Sequence, residues 1–142
     1  MIRIGVDFGG TKIEAAAIDQ AGRFLARIRQ PNPRAYEPAL QVVKDLVAEV
    51  EQASGGACDR IGVAAPGSVS PRTGDLRNAN STWLNGRPFR TDLETALGRP
   101  VRLANDANCL ALSEAIDGAA AGAHVVLAVI LGTGCGGGVD RL

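Results

Sequence analysis

The chain has 142 residues, and its 15 basic and 15 acidic side chains give a formal net charge of zero. This balance argues against a broad nucleic-acid or membrane-surface footprint, and the length is enough for one domain with a real core. No apolar run reaches the ~18 residues of a membrane span, and the first residues do not have the pattern of a signal peptide. The three cysteines show no Cys-x-x-Cys spacing. We therefore expect no disulfide framework or zinc site, and a cytoplasmic location with no nucleic-acid or membrane partner.

The hydrophobic pattern predicts three short strands, followed by helices and strands in alternation. The third strand pairs with the second in antiparallel fashion, and the first helix ends near Gly55, since glycine is favoured after the last helical turn. The predicted elements are strands 2–6, 13–18 and 24–29, helix 38–54, strand 61–65, helix 90–97, strand 101–104, helix 107–115 and strand 125–131. This order predicts an α/β fold with a mixed sheet.

Two segments leave packing questions open. Residues 68–88 are polar and have little periodicity, and loops of this length are usually functional. Trp83 in this loop is predicted either to anchor it in the core or to form a wall of a substrate site. In helix 107–115 and just beyond it, Leu110, Leu112 and Ile116 are the predicted apolar contacts.

The most informative segment is the tight turn between the first two strands, from Asp7 to Lys12. Its adjacent glycines, Gly9 and Gly10, let the backbone approach an anion and point N–H groups at it. Thr11 adds a hydroxyl and Lys12 a positive charge, whereas Asp7 could hold Mg²⁺ through water. Asp-x-Gly-Gly is also ordinary hairpin chemistry, so a plain turn stays open as the alternative.

A second glycine-rich turn, residues 132–138, follows the last predicted strand. If both glycine turns belong to one cleft, they can hold a polyphosphate from opposite sides. The alternative is a flexible or frayed end of the chain.

Asn105 and Asp106 lie where a predicted strand ends and a helix begins. Ligands of open α/β sheets bind at the carboxyl ends of strands, which makes Asp106 a candidate general base for a substrate hydroxyl. The structural alternative is that Asp106 only caps the helix.

Four segments, in this order along essentially the whole chain, resemble the ROK family of bacterial sugar kinases and sugar-responsive repressors. Residues 7–12 resemble its first phosphate motif, 62–67 its Gly-x-x-x-Pro-Gly segment, 103–108 its catalytic segment and 130–136 its second phosphate motif. Within the family, residues 78–86 and 113–123 are similar to the fructokinase branch, and the N-acetylglucosamine kinase branch is the near competitor.

The resemblance implies an actin-like, ribonuclease-H-like ATPase lobe that binds ATP, Mg²⁺ and a hexose, with fructose as the expected sugar. Asp106 would be the base that activates a sugar hydroxyl for attack on the γ-phosphate. The implied contacts are phosphates at Gly9, Gly10, Thr11, Lys12, Gly132, Thr133 and Gly134, sugar at Gly67, Ser68, Asn80, Asn105 and Asp106, and metal at Asp7.

The chain departs from the family pattern in length. Members of the family continue into a second half with a Glu-x-x-His sugar-binding segment, a Cys-rich zinc site and most of the adenosine pocket. We therefore expect residues 1–142 to form an N-terminal lobe without the C-terminal lobe and without the zinc site. A non-catalytic sugar-sensing module and an inactive kinase fragment stay open as alternatives, and a DNA-binding repressor is the weakest. A homo-oligomer also stays open.

Overall fold

The computed structural model describes residues 1–58, 60–132 and 135–141, and it confirms the predicted α/β fold with a mixed sheet. The strands are β1 (Arg3–Phe8), β2 (Lys12–Ile18), β3 (Phe24–Pro31), β4 (Ile61–Ala65), β5 (Ser68–Val69), β6 (Leu76–Arg77), β7 (Val101–Asn105), β8 (Val125–Leu131) and β9 (Cys135–Arg141). The helices are α1 (Tyr36–Ser54), α2 (Phe89–Leu97) and α3 (Asp106–Asp117), with a short 3-10 turn at Thr82–Leu84. None of the helices in the described segments combines the length and apolarity that a membrane crossing needs.

The central element is a five-stranded sheet in the order β3-β2-β1-β4-β7. The first three strands pair antiparallel, whereas β1–β4 and β4–β7 pair parallel. The register sets Asp7 opposite Ala64, and Ala65 opposite Asn105. The carboxyl ends of three parallel strands therefore meet at one edge of the sheet, which is where ligands of such sheets bind.

The main core lies between this sheet and α1. Along β1, buried and exposed residues alternate, and Ile4, Val6 and Phe8 point inward. The buried face of α1 consists of Tyr36, Ala39, Val43, Leu46, Val47 and Val50, at the spacing expected for an amphipathic helix. The helix ends at Gly55 with a φ of 75°, as predicted, because glycine adopts this left-handed conformation at little cost.

The long polar segment 68–88 is ordered by contacts with the core. It contains the β5–β6 hairpin and the 3-10 turn, and Leu76 and Leu84 are buried. The Trp83 ring is partly buried and lies 6.0 Å from the Phe8 ring, centroid to centroid. Of the two predicted roles, the structure supports Trp83 as the anchor of this loop.

The β8–β9 hairpin forms a separate two-stranded sheet that packs on α3. The sequence predicted a glycine-rich turn over residues 132–138, which is wrong for its second half, because residues 135–138 belong to β9 and pair with β8. A Cβ atom on Gly138 would lie 2.4 Å from the carbonyl carbon of Ala107. The glycines thus let β9 lie directly against the first turn of α3.

The same close packing corrects the predicted face of α3. Leu110, Leu112 and Ile116 are exposed, to 36%, 43% and 65%, and do not form the expected apolar contacts. The buried side of the helix consists of Ala107, Ala111 and Ala115. Small side chains occupy this side because the hairpin approaches too closely for leucine.

Candidate active site

A cleft of about 620 Å³ lies between the carboxyl edge of the five-stranded sheet and the β8–β9 hairpin. It receives residues from the β1–β2 turn, the end of β4, the long loop, the start of α3 and the hairpin. The lining residues are Gly10, Pro66, Gly67, Ser68, Asn78, Asn80, Asn105, Asp106, Asn108, Ile130, Gly132, Cys135, Gly136 and Gly137. Residues that the sequence placed in separate motifs thus face one space.

Asn105 is the N-cap of α3. Its Oδ1 accepts hydrogen bonds from the backbone N–H groups of Ala107 and Asn108, at 3.0 and 3.4 Å. Its Nδ2 donates to the carbonyl oxygen of Gly67 at 2.8 Å, which ties the start of α3 to the end of β4. The alternative that Asp106 serves only as the N-cap is therefore wrong.

Asp106 is the first residue of α3, and its Oδ1 accepts a hydrogen bond from the Ala107 N–H at 2.8 Å. Among the residues that the structure describes, no donor reaches its Oδ2. The carboxylate is thus oriented through Oδ1, and Asp106 lines the cleft. This arrangement suits a group that accepts a proton from a bound hydroxyl.

The wall near Asn80 is held by a tight contact between two loops. Gly67 has a φ of 81°, and a Cβ there would lie 2.4 Å from the Arg77 carbonyl oxygen and 2.9 Å from the Ala79 nitrogen. The Asn85 side chain accepts from the Ala79 N–H at 2.9 Å and donates to the Ala79 carbonyl at 3.1 Å. The backbone that precedes Asn80 is therefore fixed, and Asn80 itself is exposed and lines the cleft.

The β1–β2 turn is compact. A Cβ on Gly9 would lie 2.8 Å from the Lys12 carbonyl oxygen, so the turn requires glycine there. Gly10 lines the cleft, whereas Gly9, Thr11 and Lys12 lie beside it, the last two with exposed side chains. The buried side chain of Asn32 donates to the Gly9 carbonyl at 2.7 Å. Sequence reasoning missed Asn32, because no local motif connects it with a turn 23 residues earlier.

Asp7 and Asp106 interact electrostatically. Asp7 keeps access to solvent, but partial burial raises its pKa above the ordinary aspartate value, and the negative charges of Asp106 and Glu14 raise it further. Burial also raises the pKa of the half-buried Cys109 thiol, with smaller contributions from the two aspartates. A cation between the aspartates would relieve their repulsion.

The donor set fits Mg²⁺ better than a metal held by protein ligands alone. Within the described segments, no three His, Cys, Asp or Glu side chains cluster closely enough to hold a metal ion. Mg²⁺ keeps several waters and commonly binds through one or two carboxylates together with substrate phosphates. Asp7 and Asp106 can supply those carboxylates, since they interact electrostatically and Asp106 lines the same cleft as both glycine-rich segments.

The hairpin contributes another part of the cleft wall. Gly132, Cys135, Gly136 and Gly137 line the same cleft as Gly10, so both glycine-rich segments border one space. Thr133 and Gly134, which the sequence predicts as phosphate contacts, lie outside the described residues.

Comparison with known proteins identifies the family of this chain. The family model described as "ROK family" matches residues 3–140. The chain is 44% identical over 136 residues to N-acetyl-D-glucosamine kinase from Citrobacter koseri, a match that covers 95% of this chain and 45% of the relative. N-acetyl-D-glucosamine kinase from Escherichia coli is 43% identical over the same coverage. The chain thus spans about half the length of the curated relatives it matches.

Solved structures give the same result for the fold. A ROK family glucokinase from Streptomyces griseus, in complex with glucose and AMPPNP, superposes with a TM-score of 0.89 at 33% identity, over 99% of this chain and 45% of that one. The ROK hexokinase from Thermus thermophilus superposes with a TM-score of 0.82 at 36% identity, over 99% and 46%. These matches confirm the predicted actin-like ATPase fold. Motifs, fold and matched length agree that this chain is a member of the ROK family.

Proposed function

We propose that this chain forms the sugar- and phosphate-binding cleft of an ATP-dependent hexose kinase. The observation that carries the proposal is the position of Asp106, whose carboxylate lies in a cleft between polar side chains and glycine-rich backbone. The Asn80 amide and the second N–H of the Asn105 amide are suited to sugar hydroxyls, whereas Gly10 and Gly132 offer backbone suited to phosphates. The kinases among the relatives support the same reaction class.

In the proposed reaction, Asp106 accepts the proton of the attacking sugar hydroxyl through the carboxylate oxygen that lacks a protein donor. Asn105 holds the loop at Gly67 against the start of α3, which keeps the proposed sugar-binding residue Gly67 at a constant position relative to Asp106. Mg²⁺–ATP supplies the phosphoryl group and a positive charge for the transferring oxygens. Phosphoryl transfer depends mainly on positioning and charge stabilisation, and this cleft provides groups for both.

Two sugars are candidates. Residues 78–86 and 113–123 favour fructose, whereas the relatives named above favour N-acetyl-D-glucosamine. A smaller pocket of about 210 Å³ adjoins the cleft at Gly67 and Asn105, and Val69, Leu76 and Leu103 line it. Its apolar lining could accept an acetyl group, and this supports N-acetyl-D-glucosamine as a candidate beside fructose.

The test is a titration of the chain with Mg-ATP, fructose and N-acetyl-D-glucosamine, together with an assay for the phosphorylated sugar. Asp106→Asn should lower turnover by about 10²–10⁴-fold while sugar binding is kept, because the side chain retains its shape and loses its basicity. Asp117→Asn, at the exposed end of the same helix, is the matched control. Near-normal turnover in Asp106→Asn would exclude Asp106 as the base.

A non-catalytic sugar-sensing module is the second candidate function, with an inactive kinase fragment as its limiting case. The match covers 45% of the length of the curated relative from Citrobacter koseri, so the rest of that relative has no counterpart among residues 1–142. Sugar binding without turnover would support this candidate, and binding of neither ligand would indicate an inactive fragment. The cytoplasmic location, the lack of nucleic-acid and membrane partners, the missing zinc site and a homo-oligomeric state stay predictions.

A further inference from the structure

Asn32 lies in the segment between β3 and α1 and reaches back to the β1–β2 turn. It is 6% exposed and, among the residues that the structure describes, is the one buried side chain that carries an amide or a charge. Its Nδ2 donates to the Gly9 carbonyl at 2.7 Å, and its backbone N–H donates to the Thr11 carbonyl at 2.9 Å. Two carbonyl groups of the glycine turn are thus held by one residue.

The orientation of the Asn32 side chain is itself fixed. Its Oδ1 accepts a hydrogen bond from the Arg34 N–H at 2.9 Å. With Oδ1 engaged on one side, the amide NH₂ faces Gly9 on the other. A buried amide whose oxygen and nitrogen are both bonded holds its partners more firmly than an exposed one, because release would leave polar groups unpaired.

The hydrogen bond from Asn32 to the Gly9 carbonyl also sets the direction of the Gly10 N–H. In a planar trans peptide, the carbonyl of Gly9 and the N–H of Gly10 point in opposite directions. Since the Gly9 carbonyl points toward Asn32, the Gly10 N–H points away from it. In the described part of the chain this N–H has no protein acceptor, and Gly10 lines the cleft.

We propose that Asn32 is a positioning residue that sets the β1–β2 turn so that the Gly10 N–H is presented to an anionic phosphate. The inference rests on the phosphate role proposed above for this turn. Asn32 also keeps the Gly9 carbonyl, whose partial negative charge would repel a phosphate, turned into the protein. Aspartate could not replace it, because a carboxylate has no proton to donate to the Gly9 carbonyl and adds a negative charge near the anion.

The test compares Asn32→Ala and Asn32→Asp with Gln41→Ala in the whole chain. Asn32→Asp is nearly isosteric and keeps the acceptor for Arg34, so it separates loss of the Gly9 bond from loss of folding. Gln41→Ala removes an amide hydrogen bond on the exposed face of α1, where Gln41 Nε2 donates to Asp45 Oδ1 at 2.7 Å, outside the cleft. The probes are Mg²⁺ with inorganic triphosphate, Mg-ATP, and the two candidate sugars, followed through the amide NMR signals of the turn.

Both Asn32 variants should raise the Kd for Mg-triphosphate about tenfold or more and lower the order of the Gly9–Thr11 amides, whereas Gln41→Ala should leave both quantities near their wild-type values. Sugar affinity should be unchanged in the Asn32 variants, which a general loss of folding would not produce. Wild-type affinity and loop order in both Asn32 variants would overturn the positioning role alone. If the Gly10 amide NMR signal of the wild-type chain does not shift when triphosphate is added, the phosphate role of the turn is wrong, and this inference with it.

Discussion

Replacing Gly138 by alanine should weaken the packing of the β8–β9 hairpin on α3. The added Cβ would lie 2.4 Å from the Ala107 carbonyl carbon, and 2.5 Å from both the Ala107 oxygen and the Asn108 nitrogen. All three atoms belong to the backbone, so no side chain can rotate away. Overpacking costs about 1–3 kcal/mol, and this contact belongs at the upper end. Against a total of roughly 5–15 kcal/mol, such a loss should lower the Tm by about 10 °C.

Gly137→Ala is the matched control, since it lies one residue earlier in the same strand. A Cβ there meets no atom closer than the Ala128 carbonyl oxygen, at 3.8 Å. Its free energy of unfolding should change by less than about 1 kcal/mol, and alanine is more favourable than glycine within a strand. Urea unfolding followed by circular dichroism gives the two values, and hydrogen exchange shows whether β8–β9 amides open first. Equal stability of the two variants would refute the close seating of β9 on α3.

Three further predictions concern charge and surface. The hydrogen bonds from Arg99 lower the pKa of Glu51 in the folded chain. The pair therefore stabilises the fold at pH values above 4.5, the ordinary pKa of glutamate, and this stabilisation is lost as the pH falls through the lowered pKa of the folded state. Glu51→Gln should therefore cost about 1–3 kcal/mol in urea unfolding at pH 7, and the difference should vanish in acid. The pKa of Asp7 is raised, so its charge destabilises the fold at neutral pH, and Asp7→Asn should raise the Tm at pH 7 but not below pH 3.8; an unchanged Tm at pH 7 would contradict this. The outward face of β8 leaves Leu127 68% and Val129 55% exposed, so light scattering of the isolated chain should show self-association that Leu127→Lys reduces, and a monodisperse wild-type monomer would contradict it.

The elements that the sequence predicted well are determined by residues that are close together in the sequence. Alternation along β1 and β2, helical spacing in α1 and the glycine at position 55 each depend on residues within a few positions of one another. The position of Asn105 and Asp106 at the junction of β7 and α3 was predicted for the same reason. Strand-then-helix patterning was enough to place the candidate base at the carboxyl edge of the sheet.

The elements that the sequence missed depend on contacts between distant segments. Residues 135–138 read as a turn because glycine has a low strand propensity, yet they form β9, since a strand lying this close to α3 must lack side chains there. Leu110 was expected inside and lies outside for the same reason. Asn32 could not be found from its neighbours, because its role depends on the register that brings the end of β3 beside the Gly9 carbonyl.

These long-range contacts converge on the start of α3. Asn105 joins this helix to the β4 loop through Gly67, and Gly138 packs the hairpin on the Ala107–Asn108 peptide group. The two walls of the cleft therefore belong to separate sheets that contact the same helical turn, and Asp106 lies in that turn. A shift of the hairpin on α3 would move the glycine-rich wall relative to this carboxylate, and the phosphoryl transfer proposed above would depend on that distance. Gly138→Ala should therefore raise the Kd for Mg-ATP more than the Kd for the sugar. The hydrogen bond from Asn105 fixes the loop at Gly67, where sugar binding is proposed, without help from the hairpin.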